Sequence, residues 1–110
     1  MTLSQPEYGV VVAKDMMVSM RDGVRLATDV YRPAHDGEPV NGELPTILQR
    51  TIYDKGSETF TSAASYFCQR GYVAVVQDCR GRFGSEGDYY HMANEAEDGF
   101  DTVEWLAAQH

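Results

Sequence analysis

A run of five consecutive apolar residues at positions 72–76 constrains the fold more than any other feature of this sequence. A strand with one face in water alternates apolar and polar residues, whereas a strand covered on both faces is apolar throughout. The run therefore predicts a central strand of the parallel type. Because parallel neighbours need a crossover connection, usually a helix, we expect helices and strands to alternate around it.

The segment just before this run has the periodicity of such a helix. Its apolar residues recur at i, i+3, i+4, i+7 and i+8, namely Phe60, Ala63, Ala64, Phe67 and Cys68. Arg70 and Gly71 follow as a helix-terminating pair, because a basic side chain suits the last turn and glycine accepts the left-handed backbone beyond it. The pattern predicts a helix that packs on the sheet and returns the chain to the strand at 72–76.

The first half of the sequence predicts an antiparallel hairpin followed by a third strand. Residues 10–20 are rich in Val and Met, and residues 24–31 alternate apolar with polar side chains. The Arg21-Asp22-Gly23 turn between them is of a kind that joins antiparallel strands. Residues 33–44 are polar and interrupted by glycine and proline, which predicts a surface loop. Residues 45–51 are then predicted to form the third strand.

A second helix is predicted towards the C-terminal end. Asn94 and Glu97 have the spacing of a capping box. The side chains expected to be buried are Ala96, Phe100, Val103 and Ala107.

The element order β-β-β-α-β-α predicts an α/β fold whose sheet begins antiparallel and becomes parallel. No strand follows the last helix to complete a right-handed crossover, so residues 1–110 are predicted to form either a truncated domain or an unusually small one.

The formal net charge of −8 is concentrated at the C-terminal end. Residues 85–110 contain seven of the 17 Asp and Glu residues and none of the nine Lys and Arg residues. Nucleic acid binding requires a basic surface, so this distribution argues against a nucleic acid partner. We interpret the acids as the solvated face of the second helix, whose first turn favours negative charge. An acidic docking face is the alternative interpretation.

Neither a metal nor a cofactor is indicated. Cys68 and Cys79 lack the spacing of a zinc-binding pair and are predicted to be reduced, packed thiols. The histidines are interpreted as surface or loop residues: His35, His91 and His110. The glycines of the loop at 80–90 match neither common phosphate-binding pattern, which argues against a nucleotide. Without a long apolar run or a signal-like start, the chain is predicted to be cytoplasmic, with no membrane partner.

Chemistry is expected at two loops that follow predicted strands. The first, Arg50-Thr51-Ile52-Tyr53-Asp54-Lys55, connects the third strand to the first helix. The second begins at Asp78-Cys79-Arg80-Gly81 and ends at Gly87, after the buried strand. Ligands of open α/β sheets bind beyond the carboxyl ends of the strands, so both loops are predicted to share one rim. Ser85 lacks the directly preceding strand of a nucleophile elbow and is interpreted as a turn residue.

These loops, together with residues 20–33, resemble the CocE/NonD family of α/β-hydrolases, which includes cocaine-esterase-like, X-Pro dipeptidyl-peptidase-like and glutaryl-cephalosporin-acylase-like enzymes. The quoted segments are Met-Arg-Asp-Gly-Val-Arg-Leu, Arg-Thr-x-Tyr-x-Lys and Asp-x-Arg-Gly-x-x-x-Ser-Glu-Gly. The resemblance implies that Tyr53 is an oxyanion-hole donor, a role that suits a phenol that keeps its proton at pH 7. Ile52 departs from the proline common in the family. For Asp78 and Arg80 the resemblance implies a structural role, in an ion pair or a turn.

The function implied by the resemblance is hydrolysis of carboxylic esters or amides by Ser-His-Asp acyl transfer, with no cofactor. Ester, X-Pro peptide and β-lactam side-chain substrates all remain open. The nucleophile, base and acid of the family would lie beyond residue 110, so the isolated chain is expected to be inactive. The alternative function is a non-catalytic binding module that uses an open sheet edge. Residues 45–51 are expected to form that edge and to promote self-association.

Overall fold

One mixed β-sheet organises the residues that the computed structural model describes, which are 7–40, 44–88 and 95–109. The strands are β1 (Gly9–Ser19), β2 (Arg25–His35), β3 (Glu38–Pro39), β4 (Thr46–Thr51) and β5 (Val73–Asp78). The helices are α1 (Glu58–Cys68) and α2 (Glu95–Ala107). The spatial order is β1-β2-β5-β4, with β3 paired to β2 beside this path. The predicted α/β class, with a sheet that is first antiparallel and then parallel, is confirmed.

The predicted hairpin is formed by β1 and β2, which pair antiparallel. Gly23 in the turn has a φ of 87°, a backbone conformation that glycine adopts without strain. The pairing shifts register between Ala13 and Met16, where Asp15 has a φ of 54°. This irregularity brings the Asp15 carboxylate to within 2.7 Å of the Lys55 ammonium.

The segment 33–44, predicted to be a surface loop, is partly sheet. β2 continues to His35, and β3 folds back on it so that Ala34 pairs with Pro39. Asp36 and Gly37 connect the two strands with φ angles of 53° and 81°, the positive values that a two-residue type I′ turn requires. An Asp-Gly dipeptide signals such a hairpin, and the polar composition of the segment obscured it.

β5 occupies the interior of the sheet, as its apolar sequence predicts. It pairs antiparallel with β2 on one side and parallel with β4 on the other. Its residues Ala74, Val75 and Val76 are at most 3% exposed. β4 has no second neighbour among the described strands, so the edge position predicted for residues 45–51 is confirmed within this part of the chain.

α1 packs on one face of the sheet. The cluster beneath it consists of Tyr31, Ala64, Cys68, Ala74 and Val76, with Val10 and Phe60 at its margin. Phe67, predicted to belong to the same stripe, is 37% exposed and instead meets Tyr66 and Tyr72 edge-on. Gly71 follows the helix with a φ of 97°, which confirms the predicted stop.

α2 lies on the opposite face. Val76 packs with α1, whereas the next residue, Gln77, accepts a hydrogen bond from the Thr102 hydroxyl of α2 at 3.0 Å. Successive strand residues point to opposite faces, so the two helices sandwich the sheet. Trp105 of α2 packs against the cluster around Leu26. Neither described helix is long and apolar enough to cross a membrane.

The side chains that α2 buries differ from those predicted. The four residues expected to face the sheet are all exposed: Ala96, Phe100, Val103 and Ala107. α2 instead buries Asp98 and Thr102. The prediction was wrong because ion pairs and hydrogen bonds to polar groups on the sheet determine this helix's orientation, and apolar periodicity does not report them. The predicted cap residue Asn94 lies outside the described residues.

Candidate active site

The carboxyl ends of β4 and β5 meet at one rim of the sheet. The two strands run in register with Thr51 opposite Asp78, and the Cys79 N–H donates to the Thr51 carbonyl at 2.9 Å. Residues 52–57, here called the tyrosine loop, follow β4. Residues 79–88, here called the glycine loop, follow β5. The two loops predicted to share a rim therefore begin side by side.

Tyr53 stands on this rim with 71% of its surface exposed. Its backbone N–H donates to the Thr51 hydroxyl at 2.8 Å. The next residue, Asp54, has a φ of 73°, and its carboxylate accepts the Gly56 N–H at 3.0 Å. The tyrosine loop is thus a tight turn that leaves the phenol open to a ligand at the rim.

Lys55 ends this turn with a buried ammonium group. The residue is 7% exposed, and its Nζ lies 2.7 Å from Asp15 Oδ1 and 2.9 Å from Asp29 Oδ1. Burial on its own would lower the pKa of Lys55, but the hydrogen bonds to Asp15 and Asp29 outweigh it and raise the pKa. The ammonium therefore remains protonated and ties the tyrosine loop to the β1–β2 hairpin.

The Asp78 carboxylate links the tyrosine loop to the glycine loop. It is 1% exposed, and it accepts the Lys55 N–H at 2.8 Å and the Gly84 N–H at 3.2 Å. Burial raises the pKa of Asp78, while these two N–H groups act in the opposite direction. A Cβ at position 84 would lie 3.0 Å from the Cβ of Ala27, so the close approach of the glycine loop to β2 favours glycine at this position.

Ser85 holds the glycine loop in place. Its hydroxyl donates to the Asp78 carbonyl and accepts the Ala27 N–H, at 2.5 Å and 2.8 Å. These contacts agree with its interpretation as a turn residue. Arg82 joins the two loops by donating from Nε to the Ile52 carbonyl at 3.2 Å. The tyrosine loop is therefore held by a hydrogen bond to Ile52, the position at which CocE/NonD hydrolases commonly have proline.

Arg80 forms ion pairs, one of the two roles predicted for it, with Asp98 and Asp22 as its partners. Its Nε and NH2 groups donate to the Asp98 carboxylate of α2 at 2.9 Å and 2.8 Å, and NH1 donates to Asp22 at 2.8 Å. The hydrogen bonds to Asp98 and Asp22 raise the pKa of Arg80. This side chain therefore connects the glycine loop to α2 and to the hairpin turn.

Arg50 forms a second buried polar cluster. Its Nε donates to Gln77 Oε1 at 2.7 Å, and NH1 donates to Glu95 Oε2 at 2.8 Å. Its NH2 group is buried with no hydrogen-bond partner in the described part of the chain. Arg50 was identified from the sequence only as the first residue of the Arg-Thr-x-Tyr-x-Lys segment, and neither of these partners was predicted. Three acids of α2, Glu95, Asp98 and Asp101, thus pair with arginines outside the helix. Glu97 and Glu104 are exposed, so the interpretation as a solvated face holds for only part of the helix.

The sequence as a whole matches a known family. The profile of the X-Pro dipeptidyl-peptidase (S15) family covers residues 22–110. The chain belongs to this S15 family. The two rim loops and both helices fall within the matched residues.

Relatives of this S15 chain include esterases. Cocaine esterase of Rhodococcus sp. (strain MB1 Bresler) is 44% identical over 102 residues, which is 89% of this chain and 17% of the esterase. The structure of an α-amino acid ester hydrolase matches 99% of the chain with a TM-score of 0.74 and 28% identity. A CocE/NonD family hydrolase from Staphylococcus aureus matches 91% with a TM-score of 0.75 and 24% identity. The resemblance to CocE/NonD α/β-hydrolases is confirmed, and the chain spans about a fifth of the length of these relatives.

The two cysteines of this S15 chain are poorly suited to act as nucleophiles. Cys68 and Cys79 are both buried and free, as predicted. Burial raises the pKa of each thiol to about 11, so very little reactive thiolate is present at neutral pH.

The described residues include one histidine, His35, and no arrangement of side chains that would bind a metal ion. His35 is exposed at the end of β2, in agreement with its interpretation as a surface residue, and contacts the Tyr8 ring. His91 and His110 lie outside the described residues. Within 7–40, 44–88 and 95–109, no group of three His, Cys, Asp or Glu side chains is arranged to hold a metal ion.

Proposed function

We propose that this chain supplies an oxyanion-hole donor, Tyr53, to a serine hydrolase that cleaves carboxylic ester or amide bonds, X-Pro peptide bonds included. The observation that supports the proposal is an exposed phenol on the rim of parallel strands, in the loop between β4 and α1. In α/β-hydrolases the loop between a strand of the sheet and the first helix that follows it supplies one oxyanion donor.

The chemistry expected of Tyr53 is donation of one hydrogen bond. When a serine hydroxyl adds to the substrate carbonyl, the carbonyl oxygen gains negative charge, and a donor already in position stabilises that charge without reorganising. A phenol keeps its proton at neutral pH and has one O–H to donate. The hydrogen bond strengthens as the charge develops, so it lowers the barrier more than it tightens substrate binding.

We assign the nucleophile, base and acid to parts of a longer protein outside these 110 residues. The support is the length of the relatives, of which this chain spans 17–21%. The isolated chain should then not hydrolyse activated esters, because an oxyanion donor without a nucleophile cannot form an acyl-enzyme. A cytoplasmic location is part of the same proposal.

The decisive change is Tyr53→Phe in the longer hydrolase, which removes one hydroxyl. We expect kcat to fall roughly 100- to 1,000-fold with little change in KM, the usual effect of losing one oxyanion donor. Tyr66→Phe is the matched control, because Tyr66 is a half-exposed tyrosine of α1 whose ring lies under Arg70. Steady-state kinetics in which Tyr53→Phe behaves like this control would refute the proposed role.

A non-catalytic binding module is the second candidate, and two observations favour it. β4 is an edge strand among those described, and Phe100 and Val103 of α2 are 59% and 53% exposed. Unpaired backbone groups at a sheet edge can accept a strand from another molecule. A longer protein that binds a partner through this edge, but contains no serine that reacts with a fluorophosphonate, would support this candidate over the hydrolase.

A further inference from the structure

Lys55 is anchored through both its backbone and its side chain. Its N–H donates to the Asp78 carboxylate at 2.8 Å, and its ammonium lies 2.9 Å from Asp29 and 2.7 Å from Asp15. Asp29 belongs to β2 and is 2% exposed, and Asp78 ends β5 and is 1% exposed. Asp29 and Asp78 are therefore fixed parts of the sheet, and Lys55, which they hold, is two residues along the chain from Tyr53.

The Tyr53 side chain has no comparable anchor among the residues that the structure describes. Its ring is 71% exposed, so side-chain packing does little to select the direction of the phenol. That direction depends on the backbone of the tyrosine loop, in which Asp54 adopts a φ of 73°. Such a conformation is less favourable for a residue with a side chain than for glycine, and contacts on both sides of Asp54 help to hold it. Thr51 holds the loop before Asp54, and Lys55 holds it after.

We propose that Lys55 is a positioning residue, whose buried ion pair with Asp29 fixes the tyrosine loop so that the Tyr53 phenol meets the developing oxyanion. This inference rests on the proposed function of Tyr53. Lys55 itself does not touch the reacting atoms. Its contribution is geometric, and a displacement of about 1 Å at a reacting centre can cost on the order of 100-fold in rate.

The test removes the ion pair as a unit, with Lys55→Met and Asp29→Asn combined in the longer hydrolase. Removing both charges avoids a lone buried charge, which would be far more destabilising. We expect kcat to fall about 10- to 100-fold with KM nearly unchanged. The matched control is Arg21→Met with Asp101→Asn, since this ion pair joins the hairpin turn to α2 without touching the tyrosine loop. Its kcat should equal that of the unmodified enzyme.

A second set of measurements separates positioning from a general loss of structure. The same neutral pair is introduced into Tyr53→Phe, where the hydroxyl to be positioned is already absent. We expect no further loss of kcat, whereas a merely structural role would multiply the two losses. If the losses of kcat from the neutral pair and from Tyr53→Phe multiply, the inference is overturned. It is also overturned if the neutral pair leaves kcat unchanged while Tyr53→Phe alone lowers it. An unchanged kcat for Tyr53→Phe alone would instead overturn the proposed function.

If circular dichroism shows that the neutral pair does not fold, Lys55→Arg takes its place. This variant keeps a charge for Asp29, but its larger planar head alters the geometry of the pair. The expected result is a loss of kcat that disappears in the Tyr53→Phe background. A kcat equal to that of the unmodified enzyme, or a loss that persists undiminished without the hydroxyl, overturns the inference.

Discussion

Individual arginine side chains hold α2 on the rest of the molecule. The pairs are Arg21 with Asp101, Arg50 with Glu95 and Arg80 with Asp98. Their surroundings differ, because the Arg80 and Arg50 side chains are 12% and 10% exposed whereas that of Arg21 is 52% exposed. Ion pairs in water contribute little to stability, while breaking a buried pair leaves an uncompensated charge. We therefore expect the pairs of Arg50 and Arg80 to contribute more to stability than the pair of Arg21.

Asp98→Asn should destabilise the 110-residue chain by about 3 kcal/mol, the usual cost of removing one partner from a buried ion pair. Asp98 is 1% exposed and accepts two hydrogen bonds from Arg80. Urea unfolding at pH 7 measures the change. Asp101→Asn is the control and should have a much smaller effect, because the side chain of its partner Arg21 is 52% exposed. Equal losses for the two variants would contradict this ranking.

The place of a residue in the fold was predictable from the sequence only where neighbours along the chain determine it. Tyr53 was singled out by its position after a strand and by the resemblance. The partners of Arg50 and Lys55 could not be found in this way, because Glu95 and Asp15 are 45 and 40 residues distant in the sequence. A pairing between such distant residues exists only once the sheet has formed.

The secondary-structure elements were largely predictable, but the orientation of α2 was not. β5, α1 and the first hairpin follow from apolar periodicity and turn chemistry, both of which are local. Which side of α2 faces the sheet depends on polar groups that other elements present, such as Gln77 and Arg80. The short β3 was missed although Asp36-Gly37 marks its turn, because the surrounding segment is polar.

The orientation of α2 can be tested with two substitutions on its opposite sides. Phe100→Ser should change the free energy of unfolding by no more than about 0.5 kcal/mol, as for other exposed positions. Thr102→Val keeps the shape of a fully buried residue but removes the hydroxyl that donates to Gln77, which should cost about 1 kcal/mol. Urea midpoints of the two variants of the 110-residue chain give the comparison. A larger loss for Phe100→Ser would restore the face predicted from periodicity.

For the molecule as a whole, ion pairs between distant segments make stability depend on pH. Hydrogen bonds from basic side chains lower the pKa of four carboxyl groups, those of Asp15, Asp22, Glu86 and Asp101. A carboxyl with a lowered pKa in the folded state contributes stability that is present above the unfolded pKa and is lost as the pH falls through the folded value. Asp78 has a raised pKa, so its contribution has the opposite sign: it is present at low pH and is lost as the pH rises through the folded value.

The urea midpoint of the 110-residue chain should therefore fall as the pH is lowered from about 5 to about 3, since unfolded carboxyl groups titrate near 4. Four carboxyl groups act in this direction and Asp78 opposes them. Equilibrium unfolding at a series of pH values, at constant ionic strength, checks the expectation. A midpoint that is constant or rises over this interval would show that the burial of Asp78 dominates.

The separation of charge along the sequence also affects the chain while it is being synthesised. The first 84 residues contain all nine Lys and Arg residues and ten of the 17 acids, so this part of a nascent chain is almost neutral. Near-neutral chains associate readily, and β4, with its unpaired edge, belongs to this part. The acidic residues that leave the ribosome afterwards bring the net charge to −8. We therefore expect the charge of the segment that contains α2 to oppose this association, in addition to the pairing of its acids with Arg21, Arg50 and Arg80.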